Sequence, residues 1–142
     1  MRLIIALTLL VSPAAAWEFS AVPICTLSRS SAAGDVLLTF DPALPEYAIT
    51  LTLPAGRWPD APLFAMVFSN EAPITIQTDR HQLSNDGRSM TAKDRGFSNV
   101  LNGLQLNSSA VAISGDTSFL IPLADIGPAM TAFRNCPVEG LS

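Results

Sequence analysis

Charged residues are scarce in this chain. Lys, Arg, Asp and Glu make up 14% of the 142 residues, whereas about 25% is usual in globular proteins. Acidic residues outnumber basic ones by 12 to 8, which gives a formal net charge of −4 at pH 7. Because nucleic-acid binding depends on basic side chains that neutralise phosphates, this balance argues against a nucleic-acid partner.

Metal ligands and cofactor motifs are equally scarce. The chain has one histidine, His81, and two distant cysteines, whereas a structural zinc site needs four such ligands. An EF-hand calcium loop is excluded at "QLSNDG", because Lys93 stands where the bidentate glutamate belongs. Neither Gly-x-x-x-x-Gly-Lys-Ser/Thr nor Gly-x-Gly-x-x-Gly occurs in the chain. We therefore expect no metal ion and no cofactor.

No apolar run reaches the roughly 18 residues that a membrane-spanning helix requires. The first 16 residues have the features of a secretory signal peptide, with Arg2 before the apolar stretch 3–11 and small residues up to Ala16. Cleavage after Ala16 would leave residues 17–142 as a single globular domain with no stable membrane insertion. We expect this domain to be periplasmic or secreted.

The two cysteines, Cys25 and Cys136, lie near opposite ends of this domain. In an oxidising compartment such a pair predicts one disulfide bond that joins the termini. A redox-active pair is the alternative, but catalytic dithiols are usually close in sequence, as in Cys-x-x-Cys.

Alternation of apolar and polar residues predicts strands over most of the chain. "DVLLTFD" and "EYAITLTLP" each have one apolar face, and "DPALPE" between them is a turn that would join an antiparallel pair. "APLFAMVFS" is apolar on both faces, which is typical of a central strand covered on both sides. "PITIQT" alternates again, and "SGDT" between "AVAIS" and "TSFLIP" indicates a hairpin.

Two short amphipathic helices are predicted in the C-terminal third. The first starts near residues 94–96. The second has Asp125 as a possible N-cap and ends at Cys136 and Pro137. Their apolar stripes are Phe97, Val100, Leu101 and Leu104, and Ile126, Ala129, Met130 and Phe133, respectively. The fold is therefore mainly β or α+β, an antiparallel sheet or sandwich of about seven or eight strands with two helices.

The segment "TDRHQLSNDGRS", residues 78–89, is predicted as a polar hairpin. Period-2 alternation from Ile74 and Ile76 directs Arg80 toward the core side and His81 outward. A three-residue loop over 85–87, with Gly87 left-handed, would set Asp79 opposite Lys93. A two-residue loop would instead set Asp79 opposite Asp94, and like charges in that position are unfavourable.

A catalytic interpretation of this segment is the alternative. It needs His81 as general base, Asp79 or Asp94 to orient the ring, and Ser98 as nucleophile. Ser98 lies in "GFSNV", which is not a Gly-x-Ser-x-Gly elbow, and nothing in the sequence brings it to His81. We therefore predict no catalytic residues.

The two tryptophans are candidate interaction residues. Trp17 and Trp58 are predicted either as exposed anchors for a partner, since Trp is enriched at binding hot spots, or as caps on the core.

Several stretches, "CTL", "TFDP", "PEYAI", "TDRHQLSNDG", "DRGFSNVLNGL" and "AFRNCP", resemble small exported proteins of Rhodobacter-like alphaproteobacteria. Some of these carry the name of an excinuclease ABC component, which this sequence contradicts because it is short, acidic and without a phosphate loop. "PLADIGPAM" and the terminal helix give a fainter similarity to the periplasmic invasion-associated locus B family, whose additional cysteines are missing here. The resemblance implies no reaction and no functional residues.

The sequence favours an exported periplasmic, non-enzymatic binding or interaction domain. Its partner would be an envelope protein or a small ligand. The alternatives are a periplasmic hydrolase that uses His81 with Asp79 or Asp94 and Ser98, and an accessory subunit of an envelope complex.

Overall fold

The computed structural model describes Ile4 and residues 16–139. The predicted signal peptide lies almost entirely outside the described residues and stays a prediction. Within them, ten strands form two antiparallel sheets, accompanied by two helices. The elements are β1 (Glu18–Ser20), β2 (Cys25–Ser31), β3 (Gly34–Asp41), β4 (Glu46–Thr52), β5 (Phe64–Ser69), β6 (Ile74–Thr78), β7 (Gln82–Ser84), β8 (Ser89–Asp94), α1 (Ser98–Leu106), β9 (Ser109–Ser114), β10 (Thr117–Ile121) and α2 (Gly127–Glu139).

The two sheets face each other as a sandwich-like α+β fold. The larger sheet has the strand order β1–β2–β3–β4–β8–β7, and the smaller one has the order β10–β9–β5–β6. This confirms the predicted class, although the short strands β1 and β7 raise the number of strands above the expected seven or eight. The core lies between the sheets and beneath the helices.

The predicted β3–β4 and β9–β10 hairpins are confirmed. Alternate residues of β3 and β4 are buried, because one face of each strand packs on the core.

β5 is central in its sheet, as predicted, but the predicted cover on both of its faces was wrong. Phe64 and Met66 are buried, whereas Ala65 and Val67 on the other face are only half-buried.

The hairpin predicted over residues 78–89 needs correction. β6 ends at Thr78 in the smaller sheet and β7 begins at Gln82 in the larger one, so Asp79, Arg80 and His81 connect the two sheets. Asp79 therefore does not face Lys93, whose strand partner is Ala48.

The register of this hairpin also differs from the predicted one. Leu83 lies opposite Met90 and Ser84 opposite Ser89, which leaves a four-residue loop over 85–88 instead of three. Gly87 is left-handed as expected, with φ of +84°. Met90 is buried, as the predicted core face required.

Both predicted helices are present, and their apolar stripes face the core. Phe97, Val100, Leu101 and Leu104 are buried, as are Ile126, Met130 and Phe133. α2 begins two residues after Asp125 and continues to Glu139, beyond the predicted end. It packs on β1 and β2. Among the described residues, no helix combines the length and apolar character needed to cross a membrane.

The structure buries both indoles, so neither is an exposed anchor. Trp17 is 7% exposed and Trp58 is 1% exposed. Trp17 Nε1 donates to the Pro122 carbonyl at 3.0 Å, and Trp58 Nε1 donates to the Leu51 carbonyl at 3.1 Å. A buried indole N–H needs such an acceptor. The tryptophans therefore complete the core, as the alternative interpretation predicted.

The predicted disulfide is confirmed. Cys25, at the start of β2, is bonded to Cys136 in α2 across 111 residues of chain. It fixes α2 over the larger sheet, and both cysteines are buried.

We expect Cys25→Ala combined with Cys136→Ala to lower the free energy of unfolding by about 4–5 kcal/mol, because a crosslink across so long a loop restricts the unfolded chain. Urea denaturation measures this change. Reduced wild-type protein is the control, since it keeps both sulfur atoms. A loss below about 1 kcal/mol in the double variant would show that the crosslink does not set the stability.

Gly103 of α1 lies directly against β5. A Cβ atom there would come within 3.0 Å of three ring carbons of Phe68, which is itself fully buried. Gly103→Ala should therefore destabilise the fold by about 1–2 kcal/mol, because overpacking outweighs the better helix propensity of alanine. Gly96→Ala is the matched control, because a Cβ at Gly96 meets no atom within 4 Å. Equal melting temperatures for the two variants would contradict this packing.

Candidate functional site

A cavity of about 320 Å³ opens where the two sheets separate beside β6 and β8. β6 is an edge strand of the smaller sheet. β7 pairs with β8 only as far as Thr91, so β8 is the edge of the larger sheet at Lys93 and Asp94. The α1 N-terminus forms a further wall. The lining residues are Ile49, Phe64, Met66, Ile76, Gln77, Thr78, Arg80, Ala92, Lys93, Asp94, Gly96, Phe97, Ser98, Asn99 and Val100.

The inner wall of the cavity is apolar. Ile49 and Ala92 face each other on β4 and β8, and Met66 and Ile76 face each other on β5 and β6. These residues are the inward positions of alternating strands, so the same pattern that builds the core also lines the cavity. Phe97 closes the wall from the start of α1. The inner wall therefore suits an apolar molecule or an apolar part of one.

The mouth of the cavity is polar and carries charges of both signs. Lys93 Nζ lies 3.9 Å from Glu46 Oε1, in a pair that is partly exposed and therefore weak. Asp94 Oδ1 accepts the backbone N–H of Arg95 at 2.7 Å. Arg80 is exposed and has no ion-pair partner among the described residues.

The first turn of α1 borders the same mouth. Ser98, Asn99 and Val100 all line the cavity, and the N-cap residue, Phe97, supplies no side-chain acceptor. The first N–H groups of a helix have no partner within the helix, and they carry a partial positive charge. This end of α1 therefore adds hydrogen-bond donors to the polar rim.

His81 lies outside this cavity. It borders a separate, shallower groove that includes Asp60, Ala61 and Asp79. Its Nε2 lies 3.1 Å from the Ala61 carbonyl oxygen, and its ring packs 6.1 Å from the ring of Phe64. Nδ1 is buried without a hydrogen-bond partner. The predicted outward orientation of His81 was therefore wrong, because its ring is half-buried against the smaller sheet.

The residues proposed for catalysis are divided between two places. Asp94 and Ser98 line the cavity, whereas Asp79 and His81 line the groove. In the part of the chain that the structure describes, His81 has no hydrogen bond to either aspartate or to Ser98. The arrangement does not provide the base-to-nucleophile contact that covalent catalysis requires.

Of the predicted polar hairpin, Arg80 and Lys93 line the cavity, and Arg80 is exposed rather than directed to the core. The cavity itself was missed, because Ile76, Ala92 and Phe97 have the sequence pattern of ordinary core positions. Within residues 16–139, no group of three or more His, Cys, Asp and Glu side chains is placed to hold a metal ion.

The contact with Ala61 specifies the tautomer of His81. A carbonyl oxygen only accepts hydrogen bonds, so Nε2 is the donor in this contact, and in the neutral ring Nδ1 then has no proton. We expect long-range ¹H–¹⁵N spectra of the neutral ring to show the Nε2–H form. A dominant Nδ1–H form would contradict the contact. In a second measurement, His81→Gln should shift the NMR signals of Ala61 and Phe64 and leave those of Ser98 unchanged.

Comparisons of this chain with protein-family models, with curated proteins and with solved structures gave no match. The candidate site is therefore described by its geometry alone: an apolar inner wall, two basic residues in the lining and the first turn of a helix.

Proposed function

We propose that this protein is an exported, non-enzymatic domain that binds a small ligand in the cavity between β6, β8 and α1. The cavity supports this proposal because it combines an apolar inner wall with a few polar groups at its mouth. This combination is typical of small-molecule sites, which usually have volumes of about 300–1,000 Å³. The ligand would bury its apolar part against Ile49, Met66 and Phe97.

Binding accounts for the cavity better than catalysis does. A hydrolase would need His81 at the cavity beside Ser98, and these residues border different depressions. An accessory subunit would be favoured by an exposed apolar patch at Trp17 and Trp58, and both indoles are buried. Neither alternative has a specific observation in its favour.

The proposed export rests on two features. The first 16 residues have the pattern of a signal peptide. The Cys25–Cys136 disulfide is of a kind that persists in oxidising compartments such as the periplasm.

Ligand binding is tested with N-phenyl-1-naphthylamine, a neutral dye whose fluorescence rises in apolar surroundings. We expect saturable binding to the purified protein. Ala92→Leu should weaken binding about tenfold or more, because the added carbons fill the cavity beside Ile49.

Ala48→Leu is the matched control, since Ala48 lies on the neighbouring strand, opposite Lys93, and does not line the cavity. Its dye affinity should equal that of the wild type. Absence of saturable binding, or an equal loss in both folded variants, would contradict a ligand site in this cavity.

A further inference from the structure

We propose that the ligand is an amphipathic anion, with an apolar body in the cavity and an anionic head group beside Arg80. This inference rests on the proposed function and specifies the class of ligand. A carboxylate on a short alkyl or aromatic body is the simplest member of that class.

The balance of charges that line the cavity is less negative than that of the whole chain. The whole chain has a net charge of −4, yet two basic residues and one acidic residue line the cavity. Lys93 is partly neutralised by Glu46, and Asp94 keeps its negative charge while it accepts a backbone hydrogen bond from Arg95. Arg80 is the basic residue of the cavity that is exposed and has no ion-pair partner among the described residues, so it is available for a ligand.

Arg80 is held at the mouth by the connection between the two sheets. Its backbone N–H donates to Thr78 Oγ1 at 3.1 Å, which fixes the chain just past the end of β6. The neighbouring carboxylate, Asp79, borders the other groove. A guanidinium group presents several N–H donors in a planar fork that matches a carboxylate. An anionic head at the mouth would thus meet Arg80 without competition from an existing ion pair.

The size of the cavity limits the apolar body. A volume of about 320 Å³ holds roughly ten groups of water size at about 30 Å³ each. A body of about eight carbon atoms would therefore fit, leaving the head group at the polar mouth. A charged group at the apolar inner wall would lose its hydration without a partner there, so this orientation is favoured over the reverse.

The test compares three compounds with the same eight-carbon chain: octanoate, 1-octanol and octylamine. Displacement of the bound dye from the purified protein gives their affinities at low salt. We expect octanoate to bind about fivefold or more tightly than octanol, and octylamine to bind most weakly. Arg80→Gln should remove the advantage of octanoate and leave octanol unchanged. Raising the salt concentration should reduce the same advantage.

Arg57→Gln is the matched control, because Arg57 borders a different depression. It should leave all three affinities unchanged. Three results would overturn the proposal of an anionic ligand while the binding function stands. These are equal affinities for the three compounds, strongest binding of octylamine, and dye binding that none of the compounds displaces. An equal loss of octanoate in Arg80→Gln and Arg57→Gln would overturn the role of Arg80. Failure of the dye itself to bind would reject the proposed function.

Discussion

A sheet of six strands faces a sheet of four, so the inner face of the larger sheet extends beyond the smaller one. Its apolar residues must still be covered, because burial of apolar surface is the main favourable term in folding. On one side α2 packs on β1 and β2 and is crosslinked to β2 through Cys25 and Cys136. On the other side, beside β8, the cover is incomplete, and the cavity lies there.

Much of the fold was predictable because its main determinants are local. Alternation in β3 and β4 and the helical periodicity of α1 and α2 identify the buried faces directly. The disulfide was predictable as well, since two cysteines leave a single pairing. β1 was not predicted, because a strand of three residues is too short to show an alternation of apolar and polar residues.

The hairpin over residues 78–89 shows where sequence reasoning failed. The alternation predicts a continuous strand through Asp79 and His81, and a charge pair between Asp79 and Lys93 favours one register. An exposed ion pair contributes only about 0–1 kcal/mol, which is too little to determine strand pairing. Met90, which lies opposite Leu51 on β4, is buried here as it would be in the predicted register, so its burial does not distinguish the two pairings. The chain instead leaves one sheet after Thr78 and enters the other at Gln82.

That crossing explains why the candidate site could not be predicted from spacing. Its wall is built by Ile49, Ile76 and Phe97, which come from different elements and meet only after the sheets have packed. The position of α1 then decides the shape of the mouth. Because Gly103 has no side chain, α1 can lie directly on Phe68 of β5, and the helix is fixed with its first turn at the cavity. A larger residue would push the helix outward and move Ser98 and Asn99 with it. The same glycine that permits close packing therefore also places the polar rim beside the apolar wall.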